Sequence, residues 1–405
     1  MALNVIVGQS GGPTCVINSS LAGVFKASKN LGVKKVYGML HGIKGLLNDE
    51  YVDLDEKLKS NIEIDLLKRT PASFLGSCRF KLPEIEQDEE IYKKIFRKLE
   101  SLSIGYFFYI GGNDSMDTIK KLSDYAAKTG SKICFVGVPK TIDNDLAMTD
   151  HTPGFGSAAK YIATTLKELV CDCRIYDCEA VTIVEIMGRN AGWLAASAAL
   201  VRGEDCEGVD MIFLPEKVFD VDFFMRRVNE IVREKKYCVV AISEGVRLAD
   251  GRFVCELASE QAAVDAFGHK MMSGSAKYLE TLIKNTMRIK ARAIEISTLQ
   301  RCASHFASLT DIEEAFNCGE TAVLSAVKEN ETGRVVCMRR ESDVPYKISY
   351  ETADVHKIAN VEKKVPSEWI TEDYVATEAV DYIRPLIQGE LNPVMNDGLP
   401  RQIRL

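Results

Sequence analysis

The chain has 405 residues, 46% apolar and 27% charged, enough for two or three folded domains with a large buried core. Its 51 Lys and Arg against 58 Asp and Glu leave a net charge of -7, which excludes nucleic-acid binding through an overall basic face. No apolar run reaches the ~18 residues of a membrane span, and Met1–Val7 has no basic leader, so neither a membrane nor a secretory route is expected and the expected location is the cytoplasm.

Apolar runs alternate with helical periodicity from the start of the chain. Leu3–Val7 predicts a strand, followed by a glycine-bearing turn and a helix over Ser19–Leu31 that stops at Gly32. Val36–Leu40 predicts the second strand. Tyr106–Ile110, Ile133–Gly137, Val181–Glu185, Met211–Phe213 and Cys238–Ile242 are short apolar runs of the kind buried on both faces of a parallel sheet. Helical patterns separate most of them, so the expected class is α/β, with two doubly wound parallel-sheet (Rossmann-like) domains. The first is expected over residues 1–155, ending in the loop Thr149–Gly156. The second is expected over 156–340, opened by a helix over Ser157–Cys171, with a return to the first domain near 297–330 left open. From Glu341 to Leu405 prolines interrupt the apolar stretches, which predicts a C-terminal extension over 341–405 packed on the core.

Parallel sheets bind ligands outside the carboxyl ends of their strands, so the loops there are where chemistry is expected. In Gly8-Gln9-Ser10-Gly11-Gly12-Pro13, paired glycines let backbone N–H groups approach an anion ahead of a helix N-terminus, although a plain tight turn has the same pattern. Gly111-Gly112-Asn113-Asp114-Ser115 repeats that placement before a helix expected from Met116. Its carboxylate makes sense if a divalent cation joins it to phosphoryl oxygens, and Asp114 or Ser115 acting only as helix cap is the alternative. In Pro139-Lys140-Thr141-Ile142-Asp143-Asn144-Asp145, an extended backbone would put Asp143 and Asp145 on one side, where mutual repulsion raises one pKa and makes a better proton acceptor, beside the cation of Lys140. Met187-Gly188-Arg189-Asn190 again joins a strand to a helix, and Arg189 can meet a phosphoryl group bidentately, with a solvated charge at a helix start as its other reading. Twelve cysteines without dense spacing read as reduced thiols. Cys171, Cys173 and Cys178 lack the C-x-x-C pattern of zinc sites and read as packing groups. The five histidines are scattered and give no hydrolase arrangement.

At these loops the sequence resembles the phosphofructokinases. The matching segments are Ser10-Gly11-Gly12, Phe74 to Phe80, Gly111 to Ser115, Pro139 to Asp145, Val184 to Arg189, Ala241 to Glu244 and Leu299-Gln300-Arg301, in the family's order across residues 3–330. The resemblance implies phosphoryl transfer to the 1-hydroxyl of fructose 6-phosphate, with Asp143 as the base and Asp145 beside it. It also implies that Arg79, Lys140 and Arg189 offset charge on the transferred group, while Gly12 and Gly112 cradle the donor. Thr141, Asp143, Met187, Gly188, Arg189 and Glu244 would hold the sugar phosphate. Arg292, supplied to a neighbouring subunit, and Arg301 would meet its 6-phosphate, and Tyr278 is a candidate to cover the sugar, with core packing as its other reading.

Departures from the ATP-using pattern point to the donor. Asp114 and Lys140 stand where ATP-dependent members carry glycines, and this pairing resembles the diphosphate-dependent phosphofructokinases, as does the stretch Val361–Ile370. The Asp114 side chain would obstruct a nucleoside, while the Lys140 ammonium suits a compact diphosphate. Asn113 replaces the aspartate that contacts magnesium in many members, so Mg2+ would be met by Asn113, by Asp114 or by the diphosphate itself. Ala180 and Thr298 replace an arginine and a histidine of the ATP-dependent pattern. The expected protein is a reversible diphosphate-dependent enzyme, a homodimer or homotetramer. The alternatives are an ATP-dependent enzyme and a silent regulatory sugar phosphate-binding subunit, and the intact Asp143 and Asp145 pair speaks against silence.

Overall fold

The computed structural model describes residues 3–175, 177–257 and 274–405. In chain order the strands of its two main sheets are β1 (Asn4–Gln9), β2 (Val36–Met39), β3 (Tyr51–Asp53), β4 (Ile104–Gly111), β5 (Cys134–Pro139), β6 (Ala180–Ile186), β7 (Met211–Phe213), β8 (Tyr237–Ser243), β9 (Lys290–Glu295), β10 (Arg334–Asp343) and β11 (Tyr346–Asp354). Contacts divide the chain into two units. One holds residues 1–157, 301–362 and 388–405, and the other holds 158–300 and 363–387.

The first unit is built on a sheet ordered β11-β10-β5-β4-β1-β2-β3, parallel throughout except for its edge strands β3 and β11. The apolar run in β4 is buried on both sides of that sheet. Phe108 and Ile110 enter one layer with the helices Ile17–Asn30 and Leu309–Lys328, while Phe107 and Tyr109 enter the other with Glu89–Ser101 and Asn113–Thr129. Phe107, Phe108 and Ile110 have no exposed surface, and burying each contributes about 1.5–3 kcal/mol. Helices Ile17–Asn30 and Leu309–Lys328 meet through facing glycines: a Cβ on Gly23 would lie 2.0 Å from the Phe316 carbonyl oxygen, and one on Gly319 would lie 2.1 Å from that of Ser20. This close approach sets helix Leu309–Lys328 directly behind the loops described below.

The second unit has an all-parallel sheet ordered β7-β8-β6-β9. Its core joins Val181 and Ile183 of β6 and Val240 and Ile242 of β8 to Phe224, Val228 and Leu279 of the flanking helices. Helix Phe155–Cys173 carries the chain from one unit into the other.

Two expectations are corrected. The chain returns to the first unit at residue 301, within the stretch left open for it, but it then stays there, and the boundary placed at 340 falls inside β10. The cause is the buried run Val335–Met338, which starts a strand parallel to β5 and returns antiparallel as β11. The extension is therefore partly sheet, and its segment 363–387 belongs to the second unit. Among the three clustered cysteines, Cys171 and Cys178 are exposed rather than packed, because the end of helix Phe155–Cys173 is at the surface; all twelve thiols are free. Among the described residues no helix is long and apolar enough to cross a membrane.

Candidate active site

In the first unit β1 lies between β2 and β4, so the direction of strand connection reverses there and a crevice opens at the carboxyl ends of β1 and β4. Both glycine loops leave from those ends. Gly11 has φ 77°, which glycine adopts without strain. The Ser77 hydroxyl donates to the Gly11 carbonyl at 2.6 Å, tying the segment that leads to exposed Arg79 onto this loop. Lys140 follows β5; its backbone N–H donates to the Gly111 carbonyl at 3.0 Å and its ammonium to the Gly12 carbonyl at 2.7 Å. The ammonium is almost fully buried, and burial pulls its pKa down to about 8 against the opposing charges of Asp143 and Asp145.

Arg301 joins this group. Its Nη1 lies 3.2 Å from where a Cβ on Gly12 would stand, so the guanidinium is beside the first glycine loop. The short helix Leu299–Cys302 sits at the junction where the chain re-enters the first unit, and the sequence motif alone does not say which way a long side chain leaves it.

Helix Asn113–Thr129 begins three residues before the expected Met116. Gly112 is its N-cap, so neither Asp114 nor Ser115 caps it. Asp114 is exposed in its first turn, where the helix dipole favours an anion. The Asn113 amide nitrogen donates to Asp145 Oδ2 at 3.3 Å, leaving Oδ1 buried with no hydrogen-bond partner. An orphaned amide oxygen beside two aspartates fits a hard divalent cation. Among the described residues no group of three or more His, Cys, Asp or Glu is placed to hold a metal ion.

The loop Thr141–Asp145 bends, so the extended backbone that would put Asp143 and Asp145 on one side is not present. Asn144, fully buried, has φ 54°, and its Oδ1 accepts from the Thr152 N–H at 3.1 Å. The Asp143 N–H donates to Thr141 Oγ1 at 3.1 Å, and the Thr152 hydroxyl donates to the Thr141 carbonyl at 2.8 Å. Thr152 therefore holds both flanks of Asp143. In the pair it is Asp145 whose carboxyl is held well above the usual range, first by burial and then by the charge of Asp143, with Glu362 adding to it.

In the second unit the loops after β6 and β8 meet. The Gly188 N–H donates to Glu244 Oε1 at 3.3 Å, the Ser243 hydroxyl to the Gly188 carbonyl at 2.5 Å, and the Met187 N–H to Gln300 Oε1 at 3.3 Å. Gly188 has φ 141° and a Cβ there would lie 2.7 Å from the Ala191 carbonyl oxygen, so only glycine fits. Half-buried Arg189 follows. Met187, Gly188, Arg189 and Glu244 are thus brought together. Tyr278 lies on helix Ser275–Met287 and packs against the apolar core with part of its surface exposed. Arg292 is not with them: it is opposite Thr182 in edge strand β9, half-exposed and 3.9 Å from Asp172.

A family model described as phosphofructokinase matches residues 4–323. The chain belongs to the phosphofructokinase family. A protein named "Pyrophosphate--fructose 6-phosphate 1-phosphotransferase" from Methylococcus capsulatus is 41% identical, over 100% of this chain and 96% of its own length. A protein of the same name from Halomonas elongata is 39% identical, over 99% and 96%. The crystal structure titled pyrophosphate-dependent phosphofructokinase from Nitrosospira multiformis superposes with a TM-score of 0.89 at 35% identity, covering 100% of this chain and 96% of that one. Within this phosphofructokinase, motif reading passed over Asn144, Thr152 and the buried polar residues behind them. The run Asp150-His151-Thr152-Pro153-Gly154, dense in turn formers close after the acidic loop, was the available signal.

Proposed function

We propose that the protein transfers a phosphoryl group reversibly between diphosphate and the 1-hydroxyl of fructose 6-phosphate. The observation that carries the donor assignment is the buried Lys140 ammonium on the Gly12 carbonyl, where a point charge meets a compact anion. Asp114, at the head of helix Asn113–Thr129, puts a second anion where a nucleoside would have to pass. The names of the relatives agree with this donor.

In this reading the first unit holds the donor. Gly12 and Gly112 offer backbone to the diphosphate, and Lys140, Arg79 and Arg301 offset its charge. Asp143 takes the proton of the sugar hydroxyl, and Asp145, with its raised pKa, keeps local negative charge low enough for an anionic donor to approach. The second unit holds the acceptor through Met187, Gly188, Arg189 and Glu244, with Tyr278 against the sugar. Arg292, on its edge strand, serves the 6-phosphate of a neighbouring subunit in a homodimer or homotetramer. Magnesium, held by Asn113 Oδ1 and Asp114, would neutralise phosphoryl charge when bound.

Phosphoryl transfer from diphosphate is nearly balanced in free energy, so the reading is tested in reverse. Fructose 1,6-bisphosphate, phosphate and magnesium should yield fructose 6-phosphate and diphosphate. Absence of diphosphate formation at saturating substrate would sink the donor assignment.

A further inference from the structure

His151 is fully buried in the first unit, and both its ring nitrogens face carboxylates: Nδ1 is 2.8 Å from Asp150 Oδ1 and Nε2 is 2.7 Å from Glu314 Oε2. Each carboxylate has a further partner from a different strand. Arg340 of β10 reaches Asp150 Oδ1 through Nε at 3.2 Å and Nη2 at 2.9 Å, and also bonds Asp343 at 3.0 Å. The Tyr346 hydroxyl of β11 donates to Glu314 Oε1 at 2.7 Å. One turn before Glu314 on the same helix, buried Asp311 accepts from the N–H groups of Gly154 and Ser157 at 2.8 and 2.9 Å. Residues 150–157 are thus fastened along helix Leu309–Lys328 by buried polar contacts. From the middle of this stretch Thr152 holds Asn144, which follows the proposed base, and Thr141, two residues before it.

A ring that donates from both nitrogens is an imidazolium, and a neutral imidazole would turn one lone pair toward a carboxylate. We propose that His151 is a positioning residue, whose doubly bonded imidazolium fixes the segment that clasps the Asp143 loop, so that loss of its proton loosens the loop and lowers turnover. Burial alone would depress the pKa of this histidine, but Glu314 and Asp150 outweigh burial and raise it to about 9. The folded pKa is above the ordinary value of 6.5, so the charge is in place below about 9 and is lost as pH rises through it.

The proposal rests on the phosphofructokinase reading only in needing a turnover to follow, and that is checked on the unaltered protein first. Glu314→Gln removes one of the two carboxylates and should move the alkaline fall of kcat, at saturating diphosphate, down by about one pH unit or more. KM should change little. Asp150→Asn asks the same question at the other nitrogen should Glu314→Gln not fold. Tyr346→Phe is the control: it removes a hydrogen bond of the same cluster but leaves both ring contacts, so thermal stability should fall while the kcat profile stays. Amide exchange over residues 141–154, corrected for intrinsic rate, supplies a readout independent of chemistry and should rise at the same lowered pH in Glu314→Gln. Coincident kcat profiles and unchanged exchange in Glu314→Gln and the unaltered protein would overturn the proposal and leave the cluster a stabilising one.

Discussion

At the scale of single residues, the charges in the donor loops make separable predictions. Asp143→Asn should lower the forward rate by about 10²–10⁴ or more while leaving fructose 6-phosphate affinity nearly intact, if the carboxylate acts in proton transfer as proposed; stopped-assay kinetics with equilibrium binding check both halves. In the proposed reading Lys140 must be charged to hold the donor. Its pKa is lowered to about 8, so kcat/KM for diphosphate should be full below that pH and fall as pH rises through it, and Lys140→Met should be low and flat across the same range. Asp114→Gly should admit ATP and weaken diphosphate use. These residues were legible in the sequence because glycine, lysine and paired aspartates in loops after apolar strands have few structural roles that explain them together. Arg301 was legible as a motif, but its nearness to Gly12 was not, since the fold decides which neighbour a long side chain meets. The extended backbone considered for Asp143 and Asp145 is absent because Asn144 takes a left-handed conformation held by its buried bond to Thr152, yet the charge of Asp143 still helps to raise the pKa of Asp145.

At the scale of elements, the sheets were readable because two-sided burial demands continuous apolar runs, as in β4. Strands β10 and β11 were not, because β10 leaves the core after Met338 and continues through alternately exposed charged residues, a pattern that resembles a surface extension. The paired close contacts at Gly23 and Gly319 depend on helices far apart in sequence and leave no local signature. Gly23→Ala should therefore cost about 1–3 kcal/mol or more of stability, read as a lowered urea midpoint, because a methyl group 2.0 Å from a backbone oxygen forces the two helices apart. An unchanged midpoint would mean that this helix pair separates freely, against the close packing described.

At the scale of the whole molecule, the proposed donor and acceptor residues are divided between the two units, and the chain contributes to the first unit from three separate stretches. Changes at Asp114 or Lys140 should accordingly alter donor kinetics and leave the affinity for fructose 6-phosphate unaltered, which isothermal titration with the sugar phosphate alone can verify. The central claim is the identity of the donor. It is tested most directly by forming fructose 1,6-bisphosphate from fructose 6-phosphate and magnesium with the purified protein, supplied in parallel with diphosphate or with ATP over matched concentrations. Saturable turnover with diphosphate and none with ATP is the predicted result, and a kcat/KM for ATP equal to or above that for diphosphate would contradict the account.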